Sequence, residues 1–127
     1  MPILQPEPAA VVGWGSLNPL GADPDTTWSA VLAGTSGIRR LDAAWASDLP
    51  VRIAGCVPDS ALNELPPLLL RRSDRCAQLA LLAARQAWSM AAPLARGVDP
   101  SRIAVVLGTG IGGLSTMHQQ HLLLSKG

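Results

Sequence analysis

Three groups of residues have types and spacings that could carry chemistry. The run Gly108-Thr109-Gly110-Ile111-Gly112-Gly113 contains the pattern G-x-G-x-x-G at Gly108, Gly110 and Gly113. Between a strand and a helix, such a turn lets a pyrophosphate approach the helix N-terminus. The acidic partner for the ribose, expected about 20 residues further on, would fall beyond Gly127. A close-packed strand-to-helix turn is therefore the plainer reading, and a dinucleotide-binding fragment the weaker alternative. His118 and His121 lie three apart, so a helix would set both on one side as a two-ligand metal site needs. No Asp, Glu or Cys lies near them in sequence to supply a third ligand, and a polar helical face with no metal is expected. Cys76 is the third group. It stands near the start of a long helical pattern, where the helix dipole lowers a thiol pKa, but within an apolar run, where burial raises it. Asp74, between Arg72 and Arg75, reads as part of a structural ion-pair cluster. These residues by themselves assemble no active site, metal site or cofactor site.

The elements that would position them alternate along the chain. Residues 1–9 hold three prolines and read as an irregular lead-in. Ala9-Ala10-Val11-Val12 is a short apolar run stopped by Gly13-Trp14-Gly15, the pattern of a buried strand ending in a tight turn. A helix follows with Asp23 as N-cap, Pro24 at its first position, Trp28, Val31 and Leu32 on one face, and Gly34 as its stop. Residues 35–50 read as a connection, Val51 to Val57 as a strand, and Asn63 to Leu70 as a loop or a short turn of helix. From Ser73 to about Ala92 strong helix formers dominate, and the stretch from Cys76 to Ala84 is apolar except for Gln78. A surface helix keeps a polar face, so this one is expected to be enclosed. Ile103-Ala104-Val105-Val106-Leu107 is a continuous β-branched run, the pattern of a strand buried on both faces. The glycine run comes next, and Leu114 to Leu124 reads as a helix. Strand, helix, strand, helix, strand, helix implies an α/β fold with a mostly parallel sheet.

Composition narrows the classes of function. In 127 residues, 48% are apolar and 15% charged, the reverse of a disordered chain. Ten basic side chains, of which Lys126 is the one lysine, face nine acidic ones. With a net charge of +1 and no basic stripe, no nucleic-acid partner is expected. Ile103 to Ser125 lacks charged residues, but its glycines and His118-Gln119-Gln120-His121 would be costly in a bilayer core, so no membrane span is expected. The N-terminus MPILQPEPAA has neither a basic nor an apolar signal region. Cys56 and Cys76 show no zinc-type spacing and suit buried thiols in a reducing cytoplasm.

Taken in order, five segments resemble the β-ketoacyl-[acyl-carrier-protein] synthases of the elongating type (synthase I/II). Val11-Val12-Gly13-Trp14-Gly15-Ser16-Leu17-Asn18-Pro19-Leu20-Gly21 is similar to that family's opening strand and loop. Thr27 to Ile38, Val51 to Gly55, Arg71 to Gln78, and Arg102 to Leu114 follow with near-family spacing, and His121 stands where the family often has histidine. There are departures. One residue is missing before Gly13, Asn18 replaces the common Ser or Thr, Cys76 falls where an aromatic is usual, and Cys56 where Glu or His is common.

The resemblance spans residues 10–127 and implies the first part of a thiolase-like αβαβα layered fold, incomplete as it stands. It implies an acyltransferase of fatty-acid or polyketide synthesis, in which an acyl group on an enzyme cysteine is attacked by the enolate from malonyl-carrier protein. Acyl carrier protein and a homodimer partner are implied as partners. The family's nucleophilic cysteine, two histidines and lysine all lie downstream of the glycine turn, so the chain by itself is expected to be inactive. The implied alternative is a non-catalytic, chain-length-factor-like or truncated partner of a ketosynthase. One residue carries over. Ile111 matches the family's isoleucine at the acyl pocket, and it is expected to face an apolar cavity or a dimer interface.

Overall fold

A computed structural model describes residues 8–126. The first helix, α1 (Pro24–Leu32), forms where local punctuation demands it. Asp23 is extended and accepts from the Thr26 N–H at 2.8 Å, and Pro24 occupies a position whose N–H would have no helical partner. At the other end Gly34 takes φ +66° and the Thr35 N–H returns to the Ala30 carbonyl at 2.9 Å, closing the helix.

Strand β1 (Ile38–Arg40) pairs antiparallel with β2 (Ile53–Gly55), in the register Ile38 with Gly55, Arg39 with Ala54 and Arg40 with Ile53. The expected strand over Val51 to Val57 is thus present in its central residues. Its partner comes from the segment read as a connection. Of the two readings of Asn63 to Leu70, loop or short turn of helix, the helical one holds from Pro67: short helix α2 (Pro67–Arg72) has Pro67 at its first position. Helix α3 (Arg75–Ala91) starts at Asp74, whose side chain accepts from the Cys76 N–H at 3.0 Å. Helix α4 (Leu114–Leu124) has the expected bounds.

The core is small: Leu62, Leu65 and Leu82 are buried, with Leu17, Leu69, Leu79 and Leu81 packed against them. Gln78 is buried there at 7% exposure without an unsatisfied group. Its Nε2 donates to the carbonyls of Leu70 (3.1 Å), in the last turn of α2, and of Ser73 (2.7 Å), which caps that helix.

Two expectations are corrected. Ala9–Val12 and Ile103–Leu107 form no strands, and the one sheet among the described residues is two-stranded and antiparallel rather than mostly parallel. Helix α3 is not enclosed either: Gln78 and Leu82 are buried, while Trp88 and Met90 are exposed. Both have one physical cause. A strand buried on both faces and a helix apolar on all sides need layers above and below, and the described residues do not supply them. Val105 and Val106 are 88% and 93% exposed. The accessible surface is 10,497 Å², against roughly 6,400 Å² for a compact monomer of this size.

Candidate functional site

Helix α3 is the post on which the loops are hung. Gly13 and Gly15 cross it so closely that a Cβ on either would collide with the carbonyl oxygens of Ala87 and Ala83 respectively. Gln86, one turn along the same face, receives the Ser16 N–H on Oε1 at 2.9 Å and donates from Nε2 to the Ala22 carbonyl at 2.6 Å. Within the loop, Asn18 donates to Ser16 Oγ and Thr27 Oγ1, both at 2.8 Å, and accepts from the Leu20 N–H at 2.9 Å. Asn18 therefore joins the loop to α1.

The glycine turn is fastened at the other end of α3. Gly112 has φ +71°, a conformation that favours glycine, and its N–H donates to Thr109 Oγ1 at 3.0 Å. Gly113 precedes α4 and lies against Asp74, where a Cβ would sit 2.9 Å from both Cγ and Oδ2. Thr116, in the first turn of α4, donates its hydroxyl to Asp74 Oδ2 at 2.6 Å. One carboxylate thus caps α3 through Oδ1 and holds α4 through Oδ2. By contrast, nothing lies within 4 Å of a Cβ built on Gly108 or Gly110.

Electrostatics follow from these contacts. The Thr116 hydroxyl, with the Cys76 N–H behind it, holds the Asp74 carboxyl below its ordinary pKa. The same carboxylate, together with partial desolvation as the larger cause, pushes the Cys76 thiol up. The opposing effects set out for Cys76 therefore resolve toward a less reactive thiol. The ion-pair cluster expected around Asp74 is not formed. Arg75 pairs instead with Asp59 at 2.7 Å, and Asp74 is bonded to neutral donors.

Ile111 is 74% exposed. In this chain it faces solvent rather than an enclosed apolar cavity. A shallow apolar cleft of about 360 Å³ lies instead between α3 and the 103–107 segment, lined by Leu81, Ala84, Arg85, Trp88, Ser89 and Val105. His118 and His121 are exposed on α4, and among the described residues no three His, Cys, Asp or Glu side chains are grouped as a metal ion would need. No helix among the described residues is long and apolar enough to cross a membrane. Sequence reasoning missed Thr116 and Gln86, for which the only signal was polarity at positions whose partners lie far along the chain.

Comparison with known proteins gives this arrangement a family. The profile described as "Beta-ketoacyl synthase, N-terminal domain" matches residues 6–126. The chain is 33% identical to the 3-oxoacyl-[acyl-carrier-protein] synthase 2 of Coxiella burnetii, over 92% of its own length and 29% of that protein. With the synthase 2 of Staphylococcus aureus it shares 34% identity, over 92% of the chain and 29% of the relative. With that of a Synechocystis species it shares 33%, over 98% and 30%. The chain therefore spans about three tenths of the length of these relatives. It belongs to the β-ketoacyl synthase family and matches that family's N-terminal domain.

Proposed function

We propose that the chain forms the N-terminal part of a 3-oxoacyl-[acyl-carrier-protein] synthase that condenses acyl and malonyl thioesters. The observation that carries this reading is the mismatch at Val105 and Val106. Their sequence is that of a fully buried strand, yet they stand in solvent beside an apolar cleft. The remainder of a ketosynthase would supply the missing cover, completing a thiolase-like αβαβα arrangement with a mostly parallel sheet.

In that reaction an acyl group is held as a thioester on a cysteine, and malonyl-carrier protein loses CO₂ to leave an enolate. The enolate carbon attacks the acyl carbonyl, the tetrahedral intermediate expels the cysteine thiolate, and a 3-oxoacyl thioester remains on the carrier. On this reading the nucleophile, two histidine donors and a supporting lysine come from residues outside the chain. Cys76 is not proposed as the nucleophile: desolvation and the neighbouring Asp74 carboxylate push its thiol up, opposite to the direction a nucleophilic thiol favours. Ile111, carried on the turn Gly108, Gly110, Gly112 and Gly113, lines the acyl pocket on this reading. Acyl carrier protein and a second ketosynthase protomer are the proposed partners, in the cytoplasm.

Reading the gene past Gly127 tests the proposal. A cysteine in a Thr-Ala-Cys-Ser-like context, with condensation of acyl and malonyl thioesters by its product, supports it. A glutamine at that place would replace it with a non-catalytic, chain-length-factor-like partner.

A further inference from the structure

Asp74 is bonded to two helices at once. Its Oδ1 accepts from the Cys76 N–H at the start of α3, and its Oδ2 accepts from Thr116 Oγ1, 42 residues along the chain, in the first turn of α4. Gly113 lies against the same carboxylate with no room for a Cβ. The turn before it is closed on itself by the bond from the Gly112 N–H to Thr109 Oγ1. Ile111 lies inside this closed loop, two residues before Gly113. Elsewhere in the turn, Gly108 and Gly110 have open space around them, so from Gly108 onward the contact with the start of α3 is the one at Asp74.

We propose that Asp74 and Thr116 form a positioning pair that fixes Ile111 relative to α3 and thereby sets which acyl-chain lengths the site accepts. The selectivity part rests on the acyl-pocket reading of Ile111 given above. The link is built to be specific. A charged acceptor strengthens the hydroxyl bond, and the two oxygens are used for separate helices. Loss of the Thr116 donor frees α4 and the turn without uncapping α3. Thr116→Val is therefore the informative variant, because Asp74→Ala would remove the cap as well.

The experiment uses the complete polypeptide that carries these residues, as wild type, Thr116→Val and Thr116→Ser. In Thr116→Val, amide hydrogen exchange over residues 112–117 is expected to quicken about tenfold, as loss of a hydrogen bond to a charged group would cause. The ratio of kcat/KM for long against short acyl thioesters is expected to shift by about threefold or more. Thr116→Ser, which keeps the hydroxyl, restores both. Unchanged exchange in Thr116→Val would overturn the pair itself. Faster exchange with an equal fall in kcat/KM for every chain length would overturn its role in selectivity. A wild type that condenses no thioester, with exchange still faster in Thr116→Val, would remove the functional reading and leave the structural pair standing.

Discussion

Gln86 receives the backbone N–H of Ser16 on its side-chain oxygen, across 70 residues of chain, at 2.9 Å. With its second bond, to the Ala22 carbonyl, this one side chain holds both ends of the loop that follows the Gly13-Trp14-Gly15 turn. Replacing Gln86 by leucine keeps the bulk and removes both bonds. The expected loss is about 1–3 kcal/mol, read from the urea midpoint, with faster hydrogen exchange confined to residues 16–22.

Glycine positions in the chain divide by what surrounds them. A Cβ at Gly15 would press on the Ala83 backbone and lie 2.8 Å from the Gln86 Cβ, neither of which moves without moving α3. Gly15→Ala is expected to destabilise by about 1–3 kcal/mol. At Gly108 nothing lies within 4 Å and no positive φ is present. There, Gly108→Ala in the same chain is expected to be neutral or to stabilise by about 0.4–1 kcal/mol, through the unfolded state. Thermal melting of the two variants side by side checks the contrast.

The two thiols should differ in reactivity. Cys56 is exposed, whereas Cys76 is partly covered and its pKa is raised by desolvation and by Asp74. Because the thiolate is the reactive form, a disulfide reagent near neutral pH should label Cys56 first. Mass spectrometry of partly labelled chain reads the order. Asp74→Asn should then speed labelling of Cys76, since the neighbouring negative charge is gone.

Acid should weaken the fold in a defined window. Asp74 is held below its ordinary value of 3.8 by Thr116, Asp23 by Thr26 and Asp99 by the Ser101 N–H. Each carboxylate binds protons more readily in the unfolded chain, so its contribution is complete above pH 3.8 and is lost as pH falls through its lowered folded value. Cys76 acts at the other end. Its contribution is intact below its ordinary 9.0 and is lost as pH climbs through the raised value. Urea midpoints should therefore fall from about pH 4 downward, and Thr116→Val should flatten part of that fall.

What was legible beforehand was whatever the chain settles locally. Asp23, Pro24 and Gly34 punctuate α1 within one short stretch, Asp74 caps α3 two residues from its bond, and Leu114 to Leu124 is helical by its own pattern. The antiparallel partner of β2 was not legible. Ile38-Arg39-Arg40 carries no alternation, and its pairing depends on register with residues 53–55. The links from Asp74 to Thr116 and from Gln86 to Ser16 join distant segments and leave no periodic trace. The runs over 9–12 and 103–107 misled differently. Their composition describes surroundings buried on both faces, and among the described residues nothing buries them. The family resemblance was carried by ordered motifs, and the match over residues 6–126 agrees with it.

On the proposed function these residues belong to a condensing enzyme and do not include its nucleophile. The most direct measurement is product analysis of the purified 127-residue chain, given an acyl thioester and malonyl-carrier protein. The expected result is neither 3-oxoacyl product nor CO₂ release, with Cys76→Ala indistinguishable from wild type. Turnover that survives repurification and disappears in Cys76→Ala would contradict the account.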